Sequence, residues 1–560
     1  MTTSTDTLLH RLLHWERTMP DTVYLTQPLP DGSTVDYTWR QVADEARRIA
    51  SYLQTLALPP RSHIALLGRN SAHWLMADLA IWMAGHVTVP LYYTLSAANA
   101  RHVFAHSESR LLFLGKMDGT TDNWTELQHA LPVGLPVIGL PMSPLPHDNP
   151  VMHWNDLLAM HAPLTDIELP SRATLATILY TSGSTGQPKG VMHSYGSMID
   201  IAEVSDALFA ITPEDRMLSY LPLAHAAERS LLEATSLYFG CRVFFANNLE
   251  SFQQDLRRAR PTLFFSVPRL WVRFRQGVSE KIPPWVQKVA FALPVVSTRL
   301  RRKILGTLGL DQVRVAFSGS APLSPEVLVW YRNLGLDLLE GYGMCENFAI
   351  SHINPPGRVR IGTVGLPEPG VECRIGEDSE IQVRGPGQML GYYKMPEATA
   401  QTLPPDGFLR TGDQGVIDAD GYLRIIGRVK DMFKTGKGRY VAPVPIENSL
   451  GNHPLVDTVC VAGLGLPRPF ALVMLSPQGQ GAAADGRDAV KRELHQLMDA
   501  TNATLEEHER LSCLIVVREA WSIENGLLTP TLKIRRSVIE ARYMPLAEAW
   551  QQGGQAVLWE

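Results

Sequence analysis

Hydroxyl groups, glycines and one lysine are concentrated in the segment TSGSTGQPKG at residues 181–190. It follows ATLATILY (173–180), whose apolar composition is typical of a buried strand. Backbone N–H groups and hydroxyls can converge on an anion, glycines let the backbone approach it, and a lysine adds a charge. The segment lacks the G-x-x-x-x-G-K-[ST] spacing of a Walker A loop. Its residue types therefore fit either a phosphate-binding loop or an exposed turn.

Further motifs follow this segment in a fixed order. They are YLPLAH (220–225), SGSAPL (318–323), EGYGMCE (340–346), RTGD (410–413), GRVKD (427–431) and LTPTLK (528–533). With YTSGSTGQPKG, the series resembles the adenylate-forming superfamily of acyl-CoA synthetases, peptide-synthetase adenylation domains and firefly luciferase. YLPLAHAAER, TLFFSVPRLW and NGLLTPTLKIRR are most similar to long-chain fatty acyl-CoA synthetases. The resemblance spans residues from about 180 to 535.

The resemblance implies an enzyme, an AMP-forming acid–thiol ligase that works in two steps. A fatty acid carboxylate first attacks the α-phosphorus of ATP, which gives acyl-AMP and pyrophosphate. The thiol of CoA then displaces AMP. The resemblance leaves open a carrier-protein thiol as acceptor and an aryl or alicyclic carboxylate as substrate. A non-catalytic lipid-binding homologue is a further alternative.

The resemblance assigns a nucleotide-binding role to residues in each motif. Those expected to cradle the β- and γ-phosphates are Thr181, Ser182, Gly183, Ser184, Thr185, Gly186 and Lys189. Those expected to form the adenine slot are Gly319, Ser320, Ala321, Pro322, Glu340, Gly341, Tyr342 and Gly343. Tyr342 would stack on the purine. Asp413 would accept hydrogen bonds from the ribose hydroxyls, and Arg428 would support the same region.

Mg²⁺ is implied as the metal that bridges phosphate oxygens, with Glu346 as its carboxylate ligand and Thr181 as a hydroxyl ligand. One residue departs from the family pattern, because Cys345 stands where a threonine normally precedes this glutamate. A thiol donates a weaker hydrogen bond than a hydroxyl. We therefore expect altered contact with the α-phosphate at this position.

Three lysines are implied to serve the two steps. Lys533 would bridge the attacking carboxylate and the α-phosphate, where charge develops in the transition state. Lys430 would mark the hinge about which the C-terminal domain turns. In KTGKGRY (434–440), Lys434, Gly436 and Gly438 would enter the site for thioester formation, although the same residues would also suit an exposed basic turn. His225 would lie near the substrate carboxyl group and line or gate the acyl tunnel.

Elements that alternate along the chain must position these motifs. The predicted strands are HIALLG (63–68), VTVPLY (87–92), RLLFLG (110–115), TLFFSVP (262–268) and VRVAFSGS (313–320). Helical patterns over 38–56 and 325–335 predict an α/β fold with a large N-terminal domain of doubly wound α/β layers. Short alternating strands predict a β-rich subdomain at about 355–428. A small mobile α+β C-terminal domain would follow.

The predicted domains are residues 1–428, for AMP and acyl binding, and residues 429–560, which would move about the hinge near Lys430. SPQGQGAAADGRD (476–488) is typical of a flexible connection. The apolar segment 74–85 is too short to span a bilayer and predicts a buried helix. Residues 285–303 are apolar with a basic tail, which favours a core helix broken by Pro294, or a helix lying on a membrane surface.

Composition restricts the remaining possibilities. The net charge of −5 gives no basic footprint for nucleic acid, so no nucleic-acid partner is expected. Five scattered cysteines without a CxxC pair argue against a disulfide framework or zinc site, and no leader pattern is visible at the N-terminus. We therefore expect a cytoplasmic protein, with peripheral membrane contact as a possibility, whose partners are a carboxylate, ATP and CoA.

Overall fold

The computed structural model describes residues 6–117, 124–145, 151–181, 187–292, 294–522, 525–529 and 533–560. The strands of its first half, in chain order, are β1 (Val23–Pro28), β2 (Thr34–Thr38), β3 (His63–Leu67), β4 (Val87–Leu91), β5 (Leu111–Leu114), β6 (Val137–Gly139), β7 (Met152–His153), β8 (Leu175–Thr181), β9 (Lys189–Ser194), β10 (Arg216–Ser219), β11 (Arg242–Phe245) and β12 (Leu263–Ser266). The later strands are β13 (Val315–Ser318), β14 (Leu338–Tyr342), β15 (His352–Ile353), β16 (Leu366–Pro367), β17 (Glu372–Ile375), β18 (Glu380–Arg384), β19 (Gly391–Tyr392), β20 (Leu409–Ile417), β21 (Leu423–Arg428), β22 (Phe433–Lys434), β23 (Tyr440–Val441), β24 (Val456–Ala462), β25 (Phe470–Leu475), β26 (Leu514–Val516) and β27 (Val557–Trp559).

Helices connect these strands on both faces of the sheets. In chain order they are α1 (Leu8–Thr18), α2 (Trp39–Thr55), α3 (Ala72–Met83), α4 (Ala97–Ser107), α5 (Trp124–Leu127), α6 (Trp154–Met160), α7 (Tyr195–Phe209), α8 (Ala226–Glu228), α9 (Thr235–Phe239), α10 (Phe252–Ala259), α11 (Pro268–Lys281), α12 (Pro284–Ala292), α13 (Pro294–Leu308), α14 (Pro325–Leu334), α15 (Pro396–Thr402), α16 (Pro443–Gly451), α17 (Pro477–Asp485), α18 (Arg487–Asn502) and α19 (Arg536–Gln552). A π-helical turn, Arg229–Ala234, joins α8 to α9, and short 3₁₀ turns complete the set.

Two sheets hold the edges from which the motif loops emerge. The first has the order β19-β9-β8-β4-β3-β5-β6-β7, and its strands from β8 to β7 run parallel. The second has the order β12-β13-β14-β15-β16, with β12, β13 and β14 parallel. A third sheet, β10-β11-β1-β2, packs beside them. This arrangement confirms the predicted α/β layers, and each predicted strand of this region is present.

The helix α3 is buried along its whole length, as its apolar sequence predicts. Its one charged residue, Asp78, is also fully buried and accepts a hydrogen bond from Nη2 of Arg229 at 2.6 Å. Arg229 lies in the π-helical turn and its Nε is 3.3 Å from Glu233, while Trp74 and Trp82 lie against the guanidinium. A buried charge of this kind is tolerated because it is paired.

The later part of the chain forms two further layers. An antiparallel sheet, β17-β18-β20-β21, occupies the region predicted to be β-rich. Beyond it, the sheet β24-β25-β26-β27 carries α16, α18 and α19 and encloses its own apolar core. These layers have the α+β composition predicted for the C-terminal part. The proposed boundary after residue 428 and the motion about Lys430 stay predictions.

Two segments differ from the sequence prediction. Residues 476–488 are not a flexible connection, because 477–485 form α17. The Ser476 hydroxyl accepts the N–H of Gly479 at its N-terminus, and Ala482 and Ala483 pack on the C-terminal core. Residues 285–303 form two helices that separate before Pro294, but the outer face of α12 is not core, since Trp285 is 71% exposed. Across the described ranges, every helix is too short or too polar to cross a bilayer.

Candidate active site

A single large cleft, with a volume of about 2040 Å³, collects residues from most of the motifs. It lies at the carboxyl ends of β8, β13 and β14, where ligands bind to sheets of this type. The C-terminal layers close its other side through Lys533 and its neighbours. The cleft is therefore built from both parts of the chain.

The residues on either side of the hydroxyl-rich segment pair as antiparallel strands. Thr181 ends β8 and pairs in register with Lys189, which begins the antiparallel strand β9, and both residues line the cleft. The predicted phosphate ligands Ser182, Gly183, Ser184, Thr185 and Gly186 lie outside the described residues.

Lys189, Tyr392 and Glu346 form a connected group beside these strands. The Nζ of Lys189 lies 5.0 Å from the centre of the Tyr392 ring, and the Tyr392 hydroxyl donates to Oε1 of Glu346 at 2.6 Å. Tyr392 is held because β19 pairs with β9. Sequence reasoning missed Tyr392, although the aromatic pair in MLGYY was a visible signal. The group brings one cation and one carboxylate to the phosphate side of the cleft.

This carboxylate fits the metal that the resemblance implies. Among the described residues, no cluster of three or more histidine, cysteine or acidic side chains could hold a metal ion by itself. Mg²⁺ commonly uses one or two carboxylates together with substrate phosphates and water, so a single Glu346 facing a nucleotide site is a suitable donor set. Thr181, which also lines the cleft, adds a hydroxyl oxygen.

The predicted adenine slot is one continuous wall of the cleft. Residues of this wall are Gly319, Ser320, Ala321, Pro322, Glu340, Gly341, Tyr342 and Gly343. A Cβ on Gly343 would lie 2.2 Å from backbone atoms of Ala349, so the turn leaves no space for a side chain there. Glu340 accepts the N–H of Leu323 at 3.2 Å, while its other oxygen has no hydrogen-bond partner among the described residues. Burial raises the pKa of Glu340 to about 7.

The residues predicted to bind the ribose belong to a hydrogen-bonded chain of three. The Tyr342 hydroxyl donates to Oδ2 of Asp413 at 2.6 Å, and Nε of Arg428 lies 3.0 Å from Oδ1 of the same carboxylate. Asp413 and Arg428 are direct partners in the β20–β21 ladder. Burial and, to a smaller extent, the Asp413 charge raise the pKa of Tyr342. The phenol therefore stays protonated and acts as the hydrogen-bond donor. The structure thus couples the predicted stacking residue to the predicted ribose ligand.

Lys533 reaches the same region from the C-terminal layers. The backbone N–H of Lys533 donates to Oγ1 of Thr529 at 3.0 Å, and the N–H of Thr529 donates to the Lys533 carbonyl at 2.7 Å. Residues 530–532 of the motif are outside the described ranges. The side chain keeps access to solvent within the cleft, yet the cleft walls lower its pKa through burial. Arg428 lowers that pKa further, while Cys345 and Asp413 oppose the change.

Cys345 and His225 face this lysine as neutral groups. Burial raises the pKa of the Cys345 thiol to about 12, so the group is a thiol and not a nucleophilic thiolate near neutral pH. Burial, with a smaller contribution from Lys533, lowers the pKa of His225 to about 4. Its Nδ1 accepts the N–H of Ala227 at 3.1 Å, which leaves the proton on Nε2. His225 can therefore donate to an oxygen but does not act as a ready base.

Residues near the proposed hinge divide into two groups. Lys430 and Asp431 line the cleft, and Arg536 binds Glu447 at 2.6 Å and lies 3.7 Å from Asp431. Lys434, Gly436 and Gly438 belong to the β22–β23 hairpin and do not line the cleft. Lys434 instead lies 4.8 Å from the ring of Tyr440. Their role in the second step stays a prediction.

The cleft wall near Cys345 is apolar. It includes Phe209, Leu231, Phe317, Ala349 and Ile350, which pack in the same core cluster as Cys345. The Phe209 and Phe317 rings meet edge to face at 4.9 Å. Arg229 and Trp271 do not line the cleft: Arg229 pairs with Asp78, and Trp271 donates to the Phe317 carbonyl. Leu231 was not predicted, because its direction depends on the π-helical turn.

Comparison with known proteins identifies the family. The model of the AMP-binding enzyme family matches residues 12–393, and that of the AMP-binding enzyme C-terminal domain matches residues 430–550. The chain belongs to the AMP-binding enzyme family. This AMP-binding enzyme is 29% identical to the long-chain-fatty-acid–CoA ligase FadD15 of Mycobacterium tuberculosis, over 97% of each chain. It is 30% identical to the peroxisomal long chain acyl-CoA synthetase 7 of Arabidopsis thaliana, over 96% of this chain and 85% of that one.

Solved structures support the same fold. The A domain of carboxylic acid reductase from Segniliparus rugosus, in complex with AMP and a co-purified carboxylic acid, has a TM-score of 0.80 at 23% identity, covering 99% of this AMP-binding enzyme and 95% of that chain. The anthranilate CoA ligase AuaEII, in complex with anthranoyl-AMP, has a TM-score of 0.77 at 22% identity, with 96% and 97% covered. These likenesses confirm the large N-terminal part and the smaller C-terminal part as one shared architecture.

Proposed function

We propose that this AMP-binding enzyme activates a fatty acid with ATP and transfers the acyl group to CoA, which yields acyl-CoA, AMP and pyrophosphate. The observation that carries the proposal is the meeting of Lys533 with the Tyr342–Asp413–Arg428 chain in a cleft that also has an apolar wall. Such a site can hold a nucleotide next to the carboxylate of a long apolar acid. The relatives named long-chain acyl-CoA ligases support the same substrate class.

The residues of the cleft would divide the first step among them. Thr181, Lys189 and the loop between them would hold the β- and γ-phosphates. Glu346, with Thr181, would hold Mg²⁺, which when bound supplies charge neutralisation at the phosphates. Asp413 would accept the ribose hydroxyls, with its carboxylate already oriented by Tyr342 and Arg428. Preorganised groups of this kind favour the transition state because they need not reorient during the reaction.

Lys533 would act at the reacting atoms. Its pKa is lowered by burial and by Arg428. An anionic phosphate placed beside it would raise that pKa again, so nucleotide binding would restore the full ammonium charge. The ammonium would then neutralise the attacking carboxylate and the α-phosphate together. Cys345, as a neutral thiol, would contribute only a weak hydrogen bond there.

The second step would use groups that lie outside the cleft in this structure. We propose that the C-terminal domain, residues 429–560, turns about Lys430 and brings Lys434, Gly436 and Gly438 to the thioester-forming site. In support, the contacts of Lys533 with Thr529 lie entirely within this part of the chain, so the lysine would move with it. Departure of Lys533 would leave the acyl-AMP open to the incoming thiol.

The proposal is tested by the two half-reactions. We expect Lys533→Ala to abolish fatty-acid-dependent ATP–pyrophosphate exchange and to retain thioester formation from preformed acyl-AMP. Lys491→Ala, on α18, is the matched control and should retain both. Equal loss of both half-reactions in folded Lys533→Ala would refute the assigned role.

A panel of acids with and without CoA tests the substrates. Turnover of long-chain acids with free CoA is the expected result. Turnover with a carrier protein alone, or with aryl acids alone, would replace the proposed acceptor or substrate. Absence of exchange with any carboxylate would identify a non-catalytic homologue.

A further inference from the structure

The helices α12 and α13 present a surface whose charge is of one sign. Between residues 281 and 310 there is no aspartate or glutamate, and the charged residues are Lys281, Lys288, Arg299, Arg301, Arg302 and Lys303. All of these except Arg301 are exposed. In the described part of the chain, none of the exposed ones takes part in an ion pair. The segment is therefore strongly cationic, although the whole chain carries a net charge of −5.

Apolar side chains are exposed beside these cations on α12. Trp285 is 71% exposed and Val289 is 58% exposed. They share one face of α12 with Lys288, because positions i, i+3 and i+4 of a helix are neighbours. Arg299, Arg302 and Lys303 repeat this spacing on α13. We refer to Trp285, Lys288, Val289, Arg299, Arg302 and Lys303 together as the α12–α13 patch.

The patch is held in place from behind. The buried Gln287 accepts from Nε1 of Trp330 at 2.7 Å and donates to the Ile282 carbonyl at 2.6 Å. Arg301 lies 5.8 Å from the centre of the Phe291 ring and links the two helices. The exposed tryptophan is thus part of a fixed helix and not of a loose end.

The patch also adjoins the cleft. Gln276, Gly277 and Glu280 of α11 line the cleft, and α12 begins at Pro284, three residues after α11 ends at Lys281. A surface docked on the patch would therefore lie close to the mouth of the site where the acid must enter.

The geometry points to an anionic lipid bilayer as the occupant of the α12–α13 patch, from which the enzyme takes its acid substrate. An indole beside lysines and arginines is the combination that enters the headgroup region, with the ring at the interface and the cations on lipid phosphates. An acidic protein would match the charge but gives no reason for the exposed Trp285 and Val289. The statement that the bilayer supplies the acid substrate rests on the proposed function, whereas the statement that the patch binds the bilayer does not.

Sedimentation of the full chain with lipid vesicles tests the inference. We expect binding to phosphatidylcholine vesicles that contain phosphatidylglycerol, little binding to phosphatidylcholine alone, and release at high salt because screening removes the attraction. Each cation near such a surface contributes about fivefold in partition, so Arg299→Gln with Arg302→Gln should weaken binding about 30-fold. Trp285→Ser should weaken it by about tenfold or more through lost apolar burial.

Matched substitutions outside the patch should have no effect. Val133 is fully exposed and Arg492 is exposed on α18, so Val133→Ser and Arg492→Gln are the controls. Failure of the unaltered protein to bind anionic vesicles would overturn the inference. Equal binding by the patch variants, or retention on an acidic protein but not on vesicles, would also overturn it.

Enzyme assays separate this inference from the proposed function. With a short, water-soluble acid, Trp285→Ser should support normal pyrophosphate exchange, whereas with acid presented in anionic vesicles its rate should fall. Equal loss with both forms of the acid would mark Trp285 as structural and refute the lipid role. If the unaltered protein shows no exchange with either acid, the proposed function fails while the vesicle-binding result stands.

Discussion

Replacement of Tyr342 by phenylalanine tests the coupling between the adenine and ribose sides of the cleft. The change removes one hydroxyl and keeps the ring that faces the adenine slot. It deletes the 2.6 Å hydrogen bond to Asp413, a buried carboxylate. Hydrogen bonds to charged groups contribute about 1.5–3 kcal/mol. Because Arg428 still holds the other oxygen at 3.0 Å, we expect the lower end, about 1.5 kcal/mol.

A loss of this size predicts about a tenfold rise in the KM for ATP, since about 1.4 kcal/mol corresponds to a factor of ten. The effect should fall on binding, because Asp413 in its proposed role would contact the ribose equally in the ground state and the transition state, and kcat should change much less. ATP–pyrophosphate exchange at saturating acid measures both constants. Direct titration with ATP should show the same change in affinity.

Tyr331→Phe is the matched control. Its hydroxyl is also buried and donates to the Trp271 carbonyl at 2.9 Å, but Tyr331 does not line the cleft. Both variants should lower the free energy of unfolding, Tyr342→Phe by about 1.5 kcal/mol and Tyr331→Phe by about 1 kcal/mol. Only Tyr342→Phe should alter the KM for ATP. A KM within twofold of the unaltered enzyme, or an equal rise in the control, would refute the coupling.

Three further predictions concern other parts of the molecule. Cys345→Thr should raise the adenylation rate because a hydroxyl is a stronger hydrogen-bond donor than a thiol. In the unaltered protein, Cys345 should resist alkylation at pH 8 because the pKa of its thiol is about 12, and rapid labelling of Cys345 would contradict this. Arg269 binds Asp457 at 2.7 Å across the two parts of the chain, so Arg269→Gln should lower exchange about two- to fivefold without slowing thioester formation from acyl-AMP. Arg260→Gln, which breaks the 2.7 Å pair with Asp311 inside the larger part, should leave both rates unchanged. Burial raises the pKa of Glu228 from 4.5 to about 8. As pH rises between these values, the unfolded chain loses this proton before the folded chain does, so the free energy of unfolding falls. Urea unfolding at pH 5 and pH 8 should show that this fall is smaller in Glu228→Gln than in the unaltered protein, by on the order of 3 kcal/mol.

The sequence predicted the elements whose pattern is local. The strand at 63–67, the helix at 39–55 and the buried helix α3 follow from runs of apolar residues at the spacing of each structure. The α17 segment was missed because its glycines and alanines resemble a linker. Its helical state depends on the Ser476 cap and on burial of Ala482, which requires knowledge of the C-terminal core.

The candidate site shows the same limit more clearly. Ordered motifs identified Asp413, Tyr342 and Lys533, but not that the first two are hydrogen-bonded or that Lys533 faces Cys345. Tyr392 was missed because its contact with Glu346 joins residues 46 positions apart. Such contacts depend on which strands are neighbours in space, and a single sequence does not state that.

The pairing of Thr181 with Lys189 has a consequence for how the loop between them can vary. Backbone ladder bonds of β8 and β9 fix both ends of the loop, and these bonds do not depend on the identity of the intervening side chains. Even changes in loop length cost little free energy of folding. In the proposed phosphate-binding role, selection on this loop would therefore come mainly from ligand chemistry. A mutational library of residues 182–188 screened for solubility alone would retain most inactive variants, whereas the same library screened for growth on a fatty acid would lose them.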